Sequence, residues 1–325
     1  LRYAMTSDNL FFAGSESGMI SIPEENIIEK GKLGPGQIVA IDLKKGKLFK
    51  DKELIRVISG KGRKHTLKNV RDAKQEGEPD LVVWYENPYL KAIRQFLAGQ
   101  KKPFRRNNIT RYLRDIQIDC KWTYVGHHES HAAAFYKSGF EDATVVVFDS
   151  IGEFDCTTIW KAENGKLKKL KSSKYPHSLG LFYSAMTDRV GLKPQRDEAK
   201  FEELSHSFTP FSLLRTHIEK DIIKKWEPMP KFKINFHRGA RGMWWGKGKK
   251  EIASATRGIF EQCVTYILRH AREITTSKNL VISGGVAFNK SVPKLVGQTW
   301  DNLYIPPSPS DVGSAEGAVL VYLRK

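Results

Sequence analysis

Between residues 79 and 325 the apolar positions follow two rhythms, continuous runs of strand length and longer stretches with three-and-four spacing. Leu81-Val82-Val83-Trp84-Tyr85 predicts a strand, and Tyr89 to Leu97 has the spacing of a helix. Trp122 to Val125 predicts a second strand leading into His127 to Phe135, whose alanines favour a helix. Ala143 to Phe148 is a run of the kind buried on both faces, and it ends at Asp149. Thr157 to Trp160 and Leu167 to Leu170 flank Asn164-Gly165, the two-residue turn signal of a hairpin. Ser178 stands as an N-cap before Leu179, Phe182, Tyr183 and Met186. Ile259, Phe260, Cys263, Val264, Ile267, Leu268 and Ala271 mark one face of a long helix. Leu280-Val281-Ile282 runs straight into Ser283-Gly284-Gly285, and Leu303-Tyr304-Ile305 into Pro306, Pro307 and Pro309, before Asp311 opens a helix of small residues. Strands alternating with helices predict an α/β sheet covered on both faces.

The first sixty residues have a different texture. Short apolar runs at Leu10 to Phe12, Met19 to Ile22 and Ile38 to Leu43 are separated by glycine and proline turns, which predicts a small β-rich segment. Residues 57 to 78 carry few large apolar side chains and many Lys, Arg and Gly, the composition of a linker. The expected organisation is thus a β-rich segment over 1–60, a basic linker over 61–78 and a catalytic domain over 79–325.

Composition changes this picture in one respect. The chain of 325 residues is 40% hydrophobic, which excludes collagen-like and wholly disordered states, but 54 Lys+Arg against 36 Asp+Glu leave a formal charge of +18. Such an excess favours polyanionic partners, or serves solvation alone. Three widely spaced cysteines, Cys120, Cys156 and Cys263, form no CxxC knuckle and suit a reducing cytoplasm. No run approaches a membrane span and no signal peptide precedes the first residue, Leu rather than Met, which reads as a processed chain or a fragment.

Three of the nine histidines, His127, His128 and His131, fall within five residues. On a helix His127 and His131 are four apart and present both imidazoles to one side, the spacing that holds a divalent metal; the bland alternative is hydrogen bonding in the core. Further ligands would come from carboxylates at element ends, and Asp149 and Asp311 occupy such places, although a turn former and a helix cap are their ordinary roles. The turn after Asp149, Ser150 to Glu153, lets backbone approach a ligand. Gly284-Gly285 after a strand can cradle a phosphate with its amides, or merely make a tight turn, and no Walker lysine follows. Lys231 to Lys250 holds seven Lys/Arg, no acidic residue, and Phe232, Phe236, Trp244 and Trp245 among glycines. With Arg238 and Arg241, this is a candidate surface for unpaired bases, against the alternative of a solvated loop whose tryptophans fold back.

Taken in order, DLVVWYENPYL from Asp80, GHHESHAAAF from Gly126, VVVFDSIGE from Val145, PHSLGLFYSAMTDRVGL from Pro176, DEAK from Asp197, ISGGVAFN from Ile282 and DVGSAEGA from Asp311 resemble the nodulation-type and antibiotic-type O-carbamoyltransferases. Their catalytic domain is similar to the tRNA threonylcarbamoyladenosine transferase. The resemblance implies an actin-like ATPase fold, two lobes of duplicated ribonuclease-H-like topology at about 79–142 and 143–325. It implies a metal, iron first with zinc and manganese as alternatives, on His127, His131, Asp149 and Asp311. It also implies a nucleotide, ATP or carbamoyl-adenylate, near Ser150, Gly152, Glu198, Lys200, Gly284, Gly285 and Asn289, with carbamoyl phosphate as donor. His128, beside the ligand pair, is a candidate base or orienter. Two departures bear on the nucleotide: Ser150 replaces the family's glycine, and Phe201-Glu202-Glu203-Leu204 replaces a glycine-rich stretch after Lys200. No second, activating domain follows Lys325, so the resemblance implies a separate carbamoyl-adenylate-forming partner or another route from carbamoyl phosphate.

Related phage-borne proteins carbamoylate 5-hydroxymethylcytosine, and the charge makes that acceptor in DNA the first expectation, in a host cytoplasm if the chain is phage-encoded. A sugar or antibiotic hydroxyl and a catalytically inactive nucleic-acid-binding protein are the alternatives. SESGMISIPEENIIEKGKLGPGQIVAIDL, Ser15 to Leu43, resembles the end of a class II glutamine amidotransferase domain, which implies a glutaminase partner if ammonia is needed. That domain's N-terminal Cys nucleophile is absent from this polypeptide. The purified 325-residue polypeptide is therefore expected to release no ammonia from glutamine in a coupled ammonia assay.

Overall fold

A computed structural model describes residues 81–115, 118–208, 212–297 and 300–324, together with five strands among the first fifty residues. The chain divides into two units, Leu1–Glu78 and Pro79–Lys325. In the first, β1 (Arg2–Thr6) pairs antiparallel with both β2 (Phe11–Gly14) and β3 (Ile27–Lys32), and β4 (Val39–Asp42) pairs antiparallel with β5 (Lys47–Lys50). The strand expected at Met19 to Ile22 and the linker expected at 61–78 lie outside the described residues.

The second unit opens with β6 (Leu81–Trp84), α1 (Pro88–Leu97), α2 (Pro103–Arg106), α3 (Ile109–Asp115) and β7 (Lys121–Tyr124). β6 and β7 are parallel, as strands joined by a helical crossover must be. Asn87 caps α1, its side-chain oxygen accepting from the amides of Tyr89 and Leu90, and Pro88 takes the first helical position where no N–H is needed. α4 (His127–Ala132) follows and tightens into a 3₁₀ turn over Ala133–Lys137, so the helix expected through Phe135 is shorter than its alanines predict.

Next comes a meander, β8 (Asp142–Gly152), β9 (Asp155–Glu163) and β10 (Lys166–Lys174). Asn164 and Gly165 both have positive φ, 52° and 69°, the backbone their sequence signal demands. α5 (Leu179–Arg189) starts at Ser178, whose Oγ accepts from the Leu181 amide. α6 (Glu198–Ser205), α7 (Leu213–Ile222), the short pair β11 (Ile223–Lys225) and β12 (Lys231–Phe232), and α8 (Lys249–Glu273) come before the last strands. α8 begins ten residues before the expected face because Ile252, Ala253 and Ala255 continue its buried stripe. β13 (Asn279–Ser283), α9 (Ser291–Val296), β14 (Asn302–Tyr304) and α10 (Asp311–Tyr322) complete the chain.

The five-stranded sheet has the order β10-β9-β8-β13-β14. The first three strands are antiparallel and the last two join β8 in parallel, the ribonuclease-H-like pattern the resemblance implies. Period-two alternation decides what each face packs against. Val146 and Phe148 of β8, Ile159, Leu280 and Ile282 point into the main core with α5, α6, α7 and α8, where Phe182, Phe201 and Phe260 are buried. Val145, Val147, Trp160, Ala162 and Val281 point the other way, against Ala132 and Phe135. Each such side chain contributes about 1.5–3 kcal/mol by leaving water.

α10 lies on α4 and β6, with Ala318 and Val321 against Val125 and Ala133. The approach is close at Gly317, where a Cβ would sit 1.9 Å from the Ser130 carbonyl oxygen and 3.2 Å from Ala133 Cβ. Among the described residues no helix is long and apolar enough to cross a membrane. Gly317→Ala is expected to cost about 1–3 kcal/mol by overpacking this contact, read as a lower urea midpoint at unchanged slope.

Candidate metal centre

Four side chains from three separate elements converge: His127 and His131 on α4, Asp149 on β8 and Asp311 at the start of α10. One ligand atom from each lies within 4.8 Å of all the others. His127 Nε2 is 3.1 Å from Asp149 Oδ2 and 3.7 Å from Asp311 Oδ1, and His131 Nε2 is 3.6 Å from the same Asp311 oxygen. Local structure places each. The helical spacing brings the two imidazoles together edge to face, ring centroids 4.8 Å apart. Asp149 does not end its strand as expected. β8 runs on to Gly152, with its register against β9 shifting between Phe148 and Gly152, and that irregularity lies where Asp149 faces the histidines. Asp311 is the first residue of α10, after the N-cap Ser310, where the helix dipole favours a carboxylate.

A glycine turn ties the carboxylate-bearing elements together. Gly284 has φ 93°, its N–H donates to Pro309 O at 2.7 Å, and a Cβ there would sit 2.0 Å from Phe148 O. The next residue, Gly285, faces Asp149, whose Oδ1 would be 3.7 Å from an added Cβ. Gly152 lies flat beneath the His127 ring, and Ser150 gives its carbonyl to the Ser178 hydroxyl at 2.6 Å. Glu198 and Asn289 gather around a different group, Tyr183: Asn289 hydrogen-bonds it, and Glu198 accepts from the Ser184 hydroxyl at 3.4 Å. Lys200 points to solvent and pairs with Asp197 at 3.1 Å. Where the family's glycine-rich stretch is absent, α6 simply continues, burying Phe201 and using Glu202 to accept the Lys290 amide at 2.9 Å.

Three carboxyl-bearing or hydroxyl-bearing residues beside the centre carried no recognisable signal in spacing. Glu153 accepts the backbone N–H of His127 at 3.0 Å and of Asn87 at 2.6 Å, joining the starts of α4 and α1, and these bonds hold it at φ 49°. Glu86 places one carboxylate oxygen 3.9 Å from His127 Nδ1, while the other receives the Lys91 ammonium. Thr158 fixes His128. The Trp160 indole donates to Thr158 Oγ1, that hydroxyl donates to His128 Nδ1 at 2.9 Å, and His128 Nε2–H donates to the Asp155 carbonyl at 3.0 Å. Both nitrogens of His128 are thus engaged within the β8–β9 hairpin, and burial, then the neighbouring His127 charge, pull its pKa down to about 3. Of the two roles expected for His128, the geometry corresponds to the orienter and leaves no nitrogen for the base.

Charge in the cluster is strongly coupled. Burial alone would keep His127 neutral, but the Asp149 hydrogen bond and charge, with Asp311 and Glu86, raise it to about 9. Asp149 is correspondingly held below the usual carboxylate range: burial opposes its charge, and the His127 hydrogen bond and the nearby imidazoles overcome it. Both nitrogens of His131 and Nδ1 of His127 are buried without a hydrogen-bond partner. Orphaned imidazole nitrogens beside two carboxylates fit a divalent cation, since each nitrogen otherwise sits desolvated and unsatisfied.

The basic loop folds back in part. Phe232 and Phe236 are buried against Phe182, at ring distances of 5.5 and 5.1 Å. Arg241 forms a two-pronged pair with Asp188 at 2.6 and 2.8 Å, and the Trp244 indole donates to Asp221 at 2.8 Å. Arg238 is exposed, and of the four aromatics only Trp245, 89% exposed, is left open for stacking.

Metal affinity is expected to depend on pH through His127. Below about 9 its imidazolium must lose a proton before ligating, so apparent affinity rises with pH by up to about tenfold per unit and levels off above that value. Calorimetric titration with Mn²⁺ in two buffers of different ionisation enthalpy should register about one proton released per ion near neutral pH, and Asp149→Asn should weaken binding about tenfold or more.

The family described as Carbamoyltransferase N-terminus matches residues 83–320, and class-II glutamine amidotransferases match residues 1–66. The nodulation protein NolNO of Sinorhizobium fredii is 29% identical over 213 residues, covering 61% of this chain and 31% of that protein. The glutamate synthase large chain of Azospirillum brasilense is 54% identical over 54 residues, 17% of this chain and 4% of that one. The chain spans about half or less of the length of the relatives it matches along the second unit. The crystal structure of HypF from T. kodakarensis superposes with a TM-score of 0.52 at 12% identity, covering 82% of this chain and 44% of that one, a likeness of fold. Its fold is that of the actin-like ATPases, and with a single family description running through most of the second unit, the chain belongs to the carbamoyltransferase family.

Proposed function

We propose that the protein is a metal-dependent O-carbamoyltransferase, moving a carbamoyl group from carbamoyl-adenylate to a hydroxyl acceptor. The observation that carries this reading is the buried His127, His131, Asp149 and Asp311 cluster beside Gly284-Gly285, inside a chain of the carbamoyltransferase family. His127, His131, Asp149 and Asp311 would hold a divalent cation, which would supply Lewis-acid polarisation of the donor. The backbone around Gly284 and Gly285 approaches the donor phosphate without side-chain obstruction. The acceptor oxygen bonds to the carbamoyl carbon as the bond from that carbon to the adenylate oxygen breaks, and AMP leaves with the electron pair. Glu86, facing His127 from β6's end and steadied by Lys91, takes the acceptor's proton. His128 and Glu153 keep α4 and the β8–β9 hairpin in register.

For the acceptor, the +18 charge and Trp245 support 5-hydroxymethylcytosine in DNA, whereas the folding back of Phe232, Phe236 and Trp244 supports a small hydroxyl compound. The protein with Fe²⁺ and chemically prepared carbamoyl-adenylate, offered hydroxymethylated DNA or an aminosugar, is expected to give a product bearing a carbamoyl mass increment by mass spectrometry. His131→Ala and Asp311→Asn should each lower product by about 100-fold or more. No product from any hydroxyl acceptor would reject carbamoyl transfer; product with the aminosugar and unchanged nucleosides would assign the small acceptor.

A further inference from the structure

α1 turns one face toward the metal centre. Asn87 at its N-cap gives its backbone N–H to Glu153, and Lys91 a turn later pairs with Glu86, whose other oxygen faces His127. Arg94 stands a turn beyond, and positions 87, 91 and 94 share one face of a helix. The Arg94 side chain belongs to a residue only 9% exposed. Its Nε is buried without a hydrogen-bond partner, and among the described residues no carboxylate lies within ion-pair distance of it. Glu86 and Glu153, the carboxylates on that side, are engaged by the Lys91 ammonium and by the Asn87 and His127 amides, and burial outweighs their pull to lower the Arg94 pKa.

A guanidinium in that position carries a desolvation cost that nothing beside it fully offsets. Its planar fork of donors matches the two oxygens of a carboxylate or phosphate, a geometry that an ammonium cannot reproduce. This place differs from the donor side, since Gly284-Gly285 approaches Asp149 from β13 while Arg94 stands on α1, on the face whose Lys91 and Asn87 engage Glu86 and Glu153.

We propose that Arg94 anchors an oxyanion subsite on the acceptor side of the metal centre, taking a phosphate or carboxylate group that the acceptor carries in addition to its hydroxyl. The word acceptor rests on the carbamoyl-transfer reading; the anion site rests on the burial and isolation of Arg94. The subsite selects acidic acceptors over neutral alcohols, because an anion meets a buried charge that no neighbouring carboxylate pairs directly.

The test uses the full chain in chelator, so that no metal ion can hold the probe. Inorganic phosphate and acetate are titrated separately by calorimetry. Saturable binding of either is expected, and whichever binds assigns the group as phosphate or carboxylate. Arg94→Gln should weaken that binding about tenfold or more, and Arg94→Lys, which keeps the charge and loses the fork, should fall between. Mn²⁺ affinity measured on each variant should stay at the wild-type value, which reports an intact centre and fold. Binding of neither anion by the wild-type chain, or equal binding by wild type and Arg94→Lys or Arg94→Gln, would overturn the subsite. Intact anion binding without carbamoyl transfer would remove the enzymatic reading and leave the subsite standing; transfer without anion binding would do the reverse.

Discussion

Two carboxylates and two imidazoles held within 4.8 Å of one another, with three of the imidazole nitrogens unsatisfied, form an arrangement that is unfavourable without a cation or proton among them. Much of the second unit exists to hold that arrangement. The α4 helix brings the imidazoles, β8 brings Asp149, and α10 returns from the far end of the chain to bring Asp311. Each element is fixed by something other than the ligands: Gly317 lets α10 lie against the Ser130 carbonyl, Gly284 lets β13 close on Phe148, and Glu153 bridges α4 to α1. The charges of the cluster favour a proton on His127, one that a cation held by the same residues would have to displace.

The sheet gives these contacts a rigid base. Its β8 strand is apolar on both faces, so neither face can slip to solvent without exposing Val145 and Val147 or Val146 and Phe148. The register shift before Gly152 is the one departure from regular pairing with β9 over this stretch, and it falls where the ligand is needed. Nearby, the chain Trp160–Thr158–His128–Asp155 satisfies a buried polar group completely with side chains and one carbonyl. A histidine beside two ligands thus becomes part of the frame, with no change in residue type.

The two flanks of the cluster differ in charge as well as in position. The Gly284-Gly285 turn lies on one flank, beside Asp149, while Glu86 with its Lys91 partner lies on the other, beside His127. The basic loop that first drew attention, Lys231 to Lys250, is partly engaged internally: Arg241 pairs with Asp188, and the Met243 and Trp244 carbonyls accept from Arg189 of α5. A net charge of +18 does not say which cations are free, and only the paired positions reveal it.

By itself the sequence determined the elements and the residue types of the centre. Period-two and three-and-four spacing are local properties, so the strands at Leu81, Ala143 and Leu280, the Asn164-Gly165 turn, the Ser178 cap and the HxxxH pair were legible from neighbours alone. The seven short segments in order carried the family. Tertiary structure decided what depends on residues distant in the chain. Asp149 and Asp311 are 162 positions apart, and their meeting is set by sheet order and by the close packing of α10. The contacts of Glu86, Glu153 and Arg94 were likewise invisible, and the choice between base and orienter for His128 depended on its partners, because no local pattern encodes which partner burial leaves a side chain.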